Sequence, residues 1–279
     1  MGYDTLWTAD RLLFPLNPRT KYPVTADGSW PEVYKRVLDP IESLTFVAAH
    51  TRRIGLGTSV LDLPFYNPVI LARRLTSLDI LSKGRLRAGF GLGWSADEFV
   101  AAGASQKGRG ARADEFLAVL KTIWTEDPVE FHGKYFAVPR SIIGAKPVQK
   151  PHPPIYLAAY VPTALKRAAS LANGWMPVGI PLSGMAAMIA QMRQMAKDAG
   201  RDPQTLEVIV GANIAIAPQP LGADRPIFAG SLDQVKKDID DVRRLGANEI
   251  FFMIFPDGSV RDLMLIRLFQ RTPIGCVYP

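Results

Sequence analysis

Apolar and polar positions follow two rhythms along this chain, and the two rhythms take turns. The short segments 4–9 (DTLWTA), 53–64 (RIGLGTSVLDLP), 85–93, 155–159 (IYLAA), 175–179 (WMPVG), 206–216 (LEVIVGANIAI) and 249–255 (EIFFMIF) are rich in β-forming residues and bounded by turn formers, as strands are. Between them lie helical patterns. Asp39 as N-cap, Pro40 at the first helical position and Glu42 at the third open a helix to His50. Asn67-Pro68 opens a second, which Gly84 stops. Further helices are predicted over about 112–125, 162–174, 183–200, 231–246 (Ser231 as N-cap, Gln234 completing the box) and 258–271. Residues 126–154 interrupt the rhythm with a hairpin turning at His132-Gly133 and an extended proline-rich run, AKPVQKPHPP.

Strands alternating with helices predict an α/β fold of parallel β/α units, and seven pairs can be counted. A doubly wound sheet accommodates seven strands, whereas a closed β/α barrel takes eight. No composition break marks a linker. One strand stands out. In RLRAGFGLG, Leu86, Ala88, Phe90 and Leu92 face one way, while Arg87, Gly89, Gly91 and Gly93 face the other. One side is almost bare of side chains just before Trp94. The spacing G-x-G-x-G, followed by tryptophan, does not fit the dinucleotide-binding fingerprint G-x-G-x-x-G.

Composition narrows the classes. The chain has 279 residues, 48% of them hydrophobic, enough for a sizeable core. The net charge of +7 suggests nucleic acid, but the basic residues are scattered, with pairs such as Arg52-Arg53 and Arg73-Arg74 the densest groups. A cleft for a small polyanion suits that charge better, and no nucleic-acid or membrane partner is expected. Cys276 is the single cysteine, so there is no disulfide framework, and the absence of a leader or spanning segment predicts a cytoplasmic protein.

The chemistry available is sparse. His50, His132 and His152 fall at a helix end, in a hairpin turn and in the proline-rich run. None sits at the C-terminal end of a strand, where β/α barrels build their sites. No metal site, nucleophile-base pair or Walker A loop is expected, so an enzyme of this kind would rely on a bound cofactor. The strand ends carry Asp10; Thr58, Ser59 and Val60; Gly91, Gly93 and Trp94; Ala158, Ala159 and Tyr160; Val178 and Gly179. These small residues leave room for a flat ring. Backbone N–H groups at Thr163 to Leu165, opening a helix, suit an anion or an ordinary helix cap.

The segments 3–15 (YDTLWTADRLLFP), 54–94, 109–124 (RGARADEFLAVLKTIW), 131–138 (FHGKYFAV), 146–159 (KPVQKPHPPIYLAA) and 164–177 (ALKRAASLANGWMP), in that order, resemble the bacterial luciferase-like monooxygenase superfamily of flavin- and deazaflavin-dependent oxidoreductases. The likeness is strongest to the class that uses coenzyme F420. It implies a (β/α)8 TIM barrel over 1–279 as a single domain, with 126–154 as its insertion. Residues 4–10 then correspond to the second strand, and the first β/α unit is lacking. Met1 would be an internal residue of a longer chain, because loss of a barrel strand exposes two edges. The other reading is an open barrel covered by a partner.

The resemblance also implies roles. Asp10 would lie near the coenzyme ring and, with Arg11, act in catalysis. Thr58, Ser59 and Val60 would underlie the ring, with the Ser59-Val60 bond cis. Gly91, Gly93 and Trp94 would line its cavity, and Trp94 and Tyr160 would be aromatic walls. Ala158, Ala159, Tyr160, Thr163 and Ala164 would lie on the phosphate side. Arg109 and Arg112 would approach an acidic tail or pair with Asp114 or Glu115. Two departures matter: Arg11 stands where relatives often carry histidine and stays protonated at neutral pH, and 158–160 reads AAY where glycines are common. The implied activity is hydride transfer between F420 and a small organic substrate, in a homodimer. The alternatives are an FMN-dependent monooxygenase and a non-catalytic flavin-binding or truncated barrel. Loops 11–38, 95–110 and 217–230 would select the substrate.

Overall fold

The computed structural model describes residues 3–25 and 27–253, and the backbone of 275–278. Strands and helices alternate in the predicted order. They are β1 (Thr5–Thr8), α1 (Pro40–His50), β2 (Gly55–Thr58), β3 (Leu61–Asp62), α2 (Pro68–Ser82), β4 (Leu86–Gly91), α3 (Ala96–Ala101), α4 (Arg109–Thr125), β5 (Val129–His132) and β6 (Ala137–Ser141). Then come β7 (Ile155–Leu157), α5 (Pro162–Leu171), β8 (Gly174–Trp175), α6 (Leu182–Asp198), β9 (Glu207–Asn213), β10 (Ala215–Ile216), β11 (Ala229–Gly230), α7 (Leu232–Arg244), β12 (Glu249–Met253) and β13 (Gly275–Tyr278). The caps read from sequence are made. Asp39 accepts from the amides of Ile41 and Glu42, Asn67 from those of Val69 and Ile70, and Ser231 and Gln234 close a capping box. Helix α2 ends with Lys83 in the left-handed region and with the Gly84 amide bonded to the Asp79 carbonyl.

The chain divides into two compact units, residues 8–155 and residues 1–7 with 156–278. In the first, β2 and β3 both run parallel to β4. Leu56 pairs with Leu86 at an offset of 30, and Leu61 with Phe90 at an offset of 29. The segment predicted as one strand, 53–64, is therefore two short strands with one extra residue between them. That interruption holds Ser59-Val60, whose peptide bond is cis, as the resemblance implied. The core of this unit packs Leu44, Leu71, Leu75, Leu86, Phe90, Phe116, Leu120 and Trp124, all essentially inaccessible. Each such side chain contributes about 1.5–3 kcal/mol by leaving water.

The proline-rich run is anchored rather than loose. Buried Asp79 on α2 accepts from the amides of Val148 and Gln149 and from Gln149 Nε2. The hairpin β5–β6 pairs His132 with Ala137, so its turn is Gly133–Phe136, one residue later than the sequence suggested. Glu115 on α4 caps that turn by accepting from the amides of Lys134, Tyr135 and Phe136.

In the second unit the sheet runs β1-β13-β12-β9-β8-β7. The pairs β12–β13, β12–β9, β9–β8 and β8–β7 are parallel. Trp175, Met192, Val208, Val210, Val235, Ile239, Ile250 and Phe252 form its core, which α6 and α7 close with one apolar face each. Among the described residues no helix is long and apolar enough to cross a membrane. The helix expected over 258–271 and the side chain of Cys276 lie outside the described residues.

Two other differences bear on the site. The stretch after Trp94 is not an open loop: Ser95 caps the short helix α3, accepting from the Glu98 amide. Helix α4 starts at Arg109, three residues before the expected point. In both places a local hydrogen bond or a left-handed glycine (Gly108, φ 72°) starts a helix that apolar periodicity does not announce.

Candidate functional site

In the unit of residues 8–155, Thr8 meets the C-terminal end of β2, which in turn is tied to β4. The Ser59 amide donates to the Thr8 carbonyl at 2.7 Å. Thr58 Oγ1 is buried between the carbonyl and amide of Gly89, at 2.8 and 2.9 Å. Thr58 thus ties two strands together, and Ser59 and Val60 stand half-buried beyond it. The bare face of β4 has a local cause at Gly91. A methyl group there would meet Val60 Cγ2 at 2.6 Å and also Asp62 Oδ1. Gly93 has φ 72°, and a methyl group there would meet the Phe99 ring at 2.8 Å. The space beside these glycines is held by the chain's own Val60, Asp62 and Phe99.

Three buried carboxylates surround this point. Asp10 is 7% exposed, Asp62 3% and Glu98 0%. Asp10 Oδ2 accepts from the Tyr66 hydroxyl at 2.7 Å. Asp62 Oδ1 accepts from the Gly93 amide, and Glu98 Oε1 from the Leu12 amide. Arg11 joins two of them: its guanidinium lies 3.4 Å from Asp62 Oδ2 and 3.0 Å from Glu98 Oε2. The second contact is an ion pair without hydrogen-bond geometry. Arg11 Nε donates back to the Asp10 carbonyl. The guanidinium also faces the rings of Trp94 and Tyr34, 5.3 and 5.6 Å from their centroids.

Burial dominates the electrostatics. It pushes the Asp10 carboxyl up to about 6; the Tyr66 hydrogen bond opposes the shift, neighbouring Asp62 adds to it, and the charge of Arg11 opposes it. Burial likewise raises Asp62, against Arg11, the Gly93 amide and Arg109. Glu98 is raised by burial against Arg11 and the Leu12 amide. Burial and the Asp10 charge keep the Tyr66 phenol protonated well above its ordinary range.

The other sequence-predicted residues fall in various settings. Trp94 is half-buried and packs on Trp30 (4.7 Å between centroids) and Tyr22 (5.5 Å), so part of its surface is taken by the 11–36 segment. Arg109 lies over Phe99, and Arg112 over Phe136 at 4.7 Å. Glu115, considered as a partner for them, is turned to the hairpin amides. In the unit of residues 156–278, Ala159 is buried, Ala158 and Ala164 are half-buried, and Tyr160 and Thr163 are exposed. Helix α5 starts there after Val161 with no side-chain cap, leaving its first amides available. His50 donates to the Phe46 carbonyl, His132 pairs with Glu130, and His152 lies against Trp124.

Sequence reading missed Asp62, Tyr66 and Glu98. They meet Asp10 and Arg11 across 51 to 87 residues of chain. Glu98 had only a local signal, as an acid in the first turn after Ser95, and Tyr66 had none.

A profile of luciferase-like monooxygenases matches residues 1–249. The chain belongs to this family. The luciferase-like chain is 34% identical over 181 residues to an F420-dependent glucose-6-phosphate dehydrogenase of Amycolatopsis mediterranei, covering 63% of this chain and 49% of that protein. Its match to a Mycobacterium tuberculosis relative, 34% identical over 176 residues, spans 62% of that protein's length. Among solved structures, a monooxygenase from Streptomyces bottropensis is 27% identical with a TM-score of 0.72, covering 83% of this chain and 81% of that one. A coenzyme F420-dependent tetrahydromethanopterin reductase from Methanopyrus kandleri has a TM-score of 0.74 at 18% identity, covering 96% and 90%. These likenesses give this family member the luciferase-like β/α-barrel fold class expected from sequence.

Proposed function

We propose that this chain is an oxidoreductase working with coenzyme F420, moving a hydride between the coenzyme and a small organic substrate. Family membership, with a curated relative named as an F420-dependent dehydrogenase, carries the reading. We assign Asp10, Thr58, Ser59, Val60, Gly91, Gly93 and Trp94, in the unit of residues 8–155, to the ring of such a group: Ser59 and Val60 are half-buried there, beside an acid that burial pushes up to about 6. In the unit of residues 156–278, taken by itself, Ala158, Ala159 and Tyr160 precede the uncapped start of α5, where the amides of Thr163 and Ala164 suit an anion. When bound, the deazaflavin supplies the hydride.

The chain's residues would hold the coenzyme and handle the accompanying proton. Arg11 cannot act as a base; it is the counter-charge of Asp62 and Glu98. We take the working form to be a homodimer. A second reading, an FMN-dependent monooxygenase, is favoured by the likeness to the Streptomyces bottropensis monooxygenase. A fluorescence titration with FMN and with F420, each oxidised and reduced, separates the two. Preferential F420 binding is expected; preferential FMN binding would reverse the order, and binding of neither would sink both.

A further inference from the structure

We infer that Asp10 is the proton-transferring group of this chain and that Tyr66 is the residue that positions it. The inference rests on the hydride-transfer reading above. Reducing an unsaturated substrate takes one hydride and one proton, and the chain has Arg11, which stays charged, next to Asp10. Of the three buried acids, Asp62 and Glu98 are ion-paired with Arg11 and bonded to backbone amides. Asp10 differs. Its side chain accepts one hydrogen bond among the described residues, from Tyr66 to Oδ2. Oδ1 has no hydrogen-bond partner among the described residues, and Asp10 as a whole is 7% exposed. One oxygen is fixed and the other is left without a bond to give up, as a proton donor requires.

Tyr66 is suited to hold it. It follows the 3-10 turn Leu63–Phe65, with its amide bonded to the Leu63 carbonyl, directly before the Asn67 cap of α2. Its phenol remains protonated and donates steadily to Oδ2. The charged and titratable groups around Asp10 are Tyr66, Asp62, Arg11, Asp39 and Glu98; the acids favour its neutral form, and Tyr66 and Arg11 its charged form. In the proposed step the O–H bond of the neutral Asp10 carboxyl breaks. Its proton goes to the substrate atom that acquires negative charge as the reduced deazaflavin gives up hydride, and the remaining carboxylate stays bonded to Tyr66. The substrate is reduced by two electrons and the coenzyme oxidised by two.

The test begins without coenzyme. In carboxyl-labelled protein the Asp10 resonance, assigned with D10N, is followed against pH in the wild type and in Y66F. Loss of the hydroxyl removes a donor that favours the charged form, so the midpoint should rise by about 0.5–1 pH unit. An unmoved midpoint overturns the role of Tyr66. Turnover of reduced F420 is then measured with an unsaturated carbonyl probe. Activity should fall as pH rises through the Asp10 midpoint, and Y66F should carry that limb upward by the same amount. At saturating F420, D10N should lose about 100-fold or more in kcat, and D10E should restore part of it. A limb that stays while the resonance moves, or full turnover by D10N, overturns proton transfer by Asp10. Failure of the wild type to bind or turn over F420 overturns the coenzyme reading instead, and the titration without coenzyme still decides the Asp10–Tyr66 pair.

Discussion

At the scale of single residues, the site is a balance of buried charge. Arg11 is ion-paired with both Asp62 and Glu98, and all three side chains are at most 9% exposed. Taking it away leaves two buried carboxylates without their ion pair, so R11A should lose about 3–5 kcal/mol of unfolding free energy. The loss should be larger at pH 8 than at pH 5, because protonation relieves unpaired carboxylates; urea melts at the two pH values measure it. Asp10 makes the opposite case. Its folded value of about 6 stands above the isolated 3.8. A raised acid contributes stability that is complete below the unfolded value and is lost as pH rises through the folded one. Above it, the buried charge costs up to about 3 kcal/mol. D10N keeps an acceptor for Tyr66, so it should be more stable than wild type at pH 8 and no more stable near pH 4. Equal effects at both pH values would remove ionisation as the cause.

At the scale of elements, close strand approach explains which glycines matter. A methyl group at Gly174 on β8 would run into the Glu207 backbone of β9, with its carbonyl carbon at 2.9 Å. Backbone in a sheet cannot move aside, so G174A should cost about 2–4 kcal/mol, on the scale of overpacked sites. Gly144 has no neighbour within 4 Å, and G144A should stay within about 0.5 kcal/mol of wild type. Similar losses for both would refute the steric argument. The cap of α1 is a milder device. Asp39 accepts from the Ile41 amide at 2.8 Å and the Glu42 amide at 3.1 Å, and D39A should cost about 1 kcal/mol in a denaturant melt.

At the scale of the whole molecule, the proposed coenzyme is linked to stability. A ligand that binds only the folded chain adds about 2.7 kcal/mol at a hundredfold excess over its Kd. Thermal melts should therefore rise with F420 and much less with FMN. A larger rise with FMN would favour the monooxygenase reading.

The sequence by itself determined the order of strands and helices, the caps at Asp39, Asn67 and Ser231, the interruption at 126–154 and the family. Those signals are local: periodicity, cap chemistry and motif order are written within a few residues of where they act. Tertiary structure alone decided that Asp10 meets Tyr66, that Arg11 lies between Asp62 and Glu98, and that Val60 and Asp62 take up the space beside Gly91. It also divided the 53–64 segment in two, since both halves register on β4 one residue out of step. Those contacts span tens of residues and depend on which strand ends the fold brings together. Burial, which pushes Asp10 to about 6, exists only once the chain has closed around it.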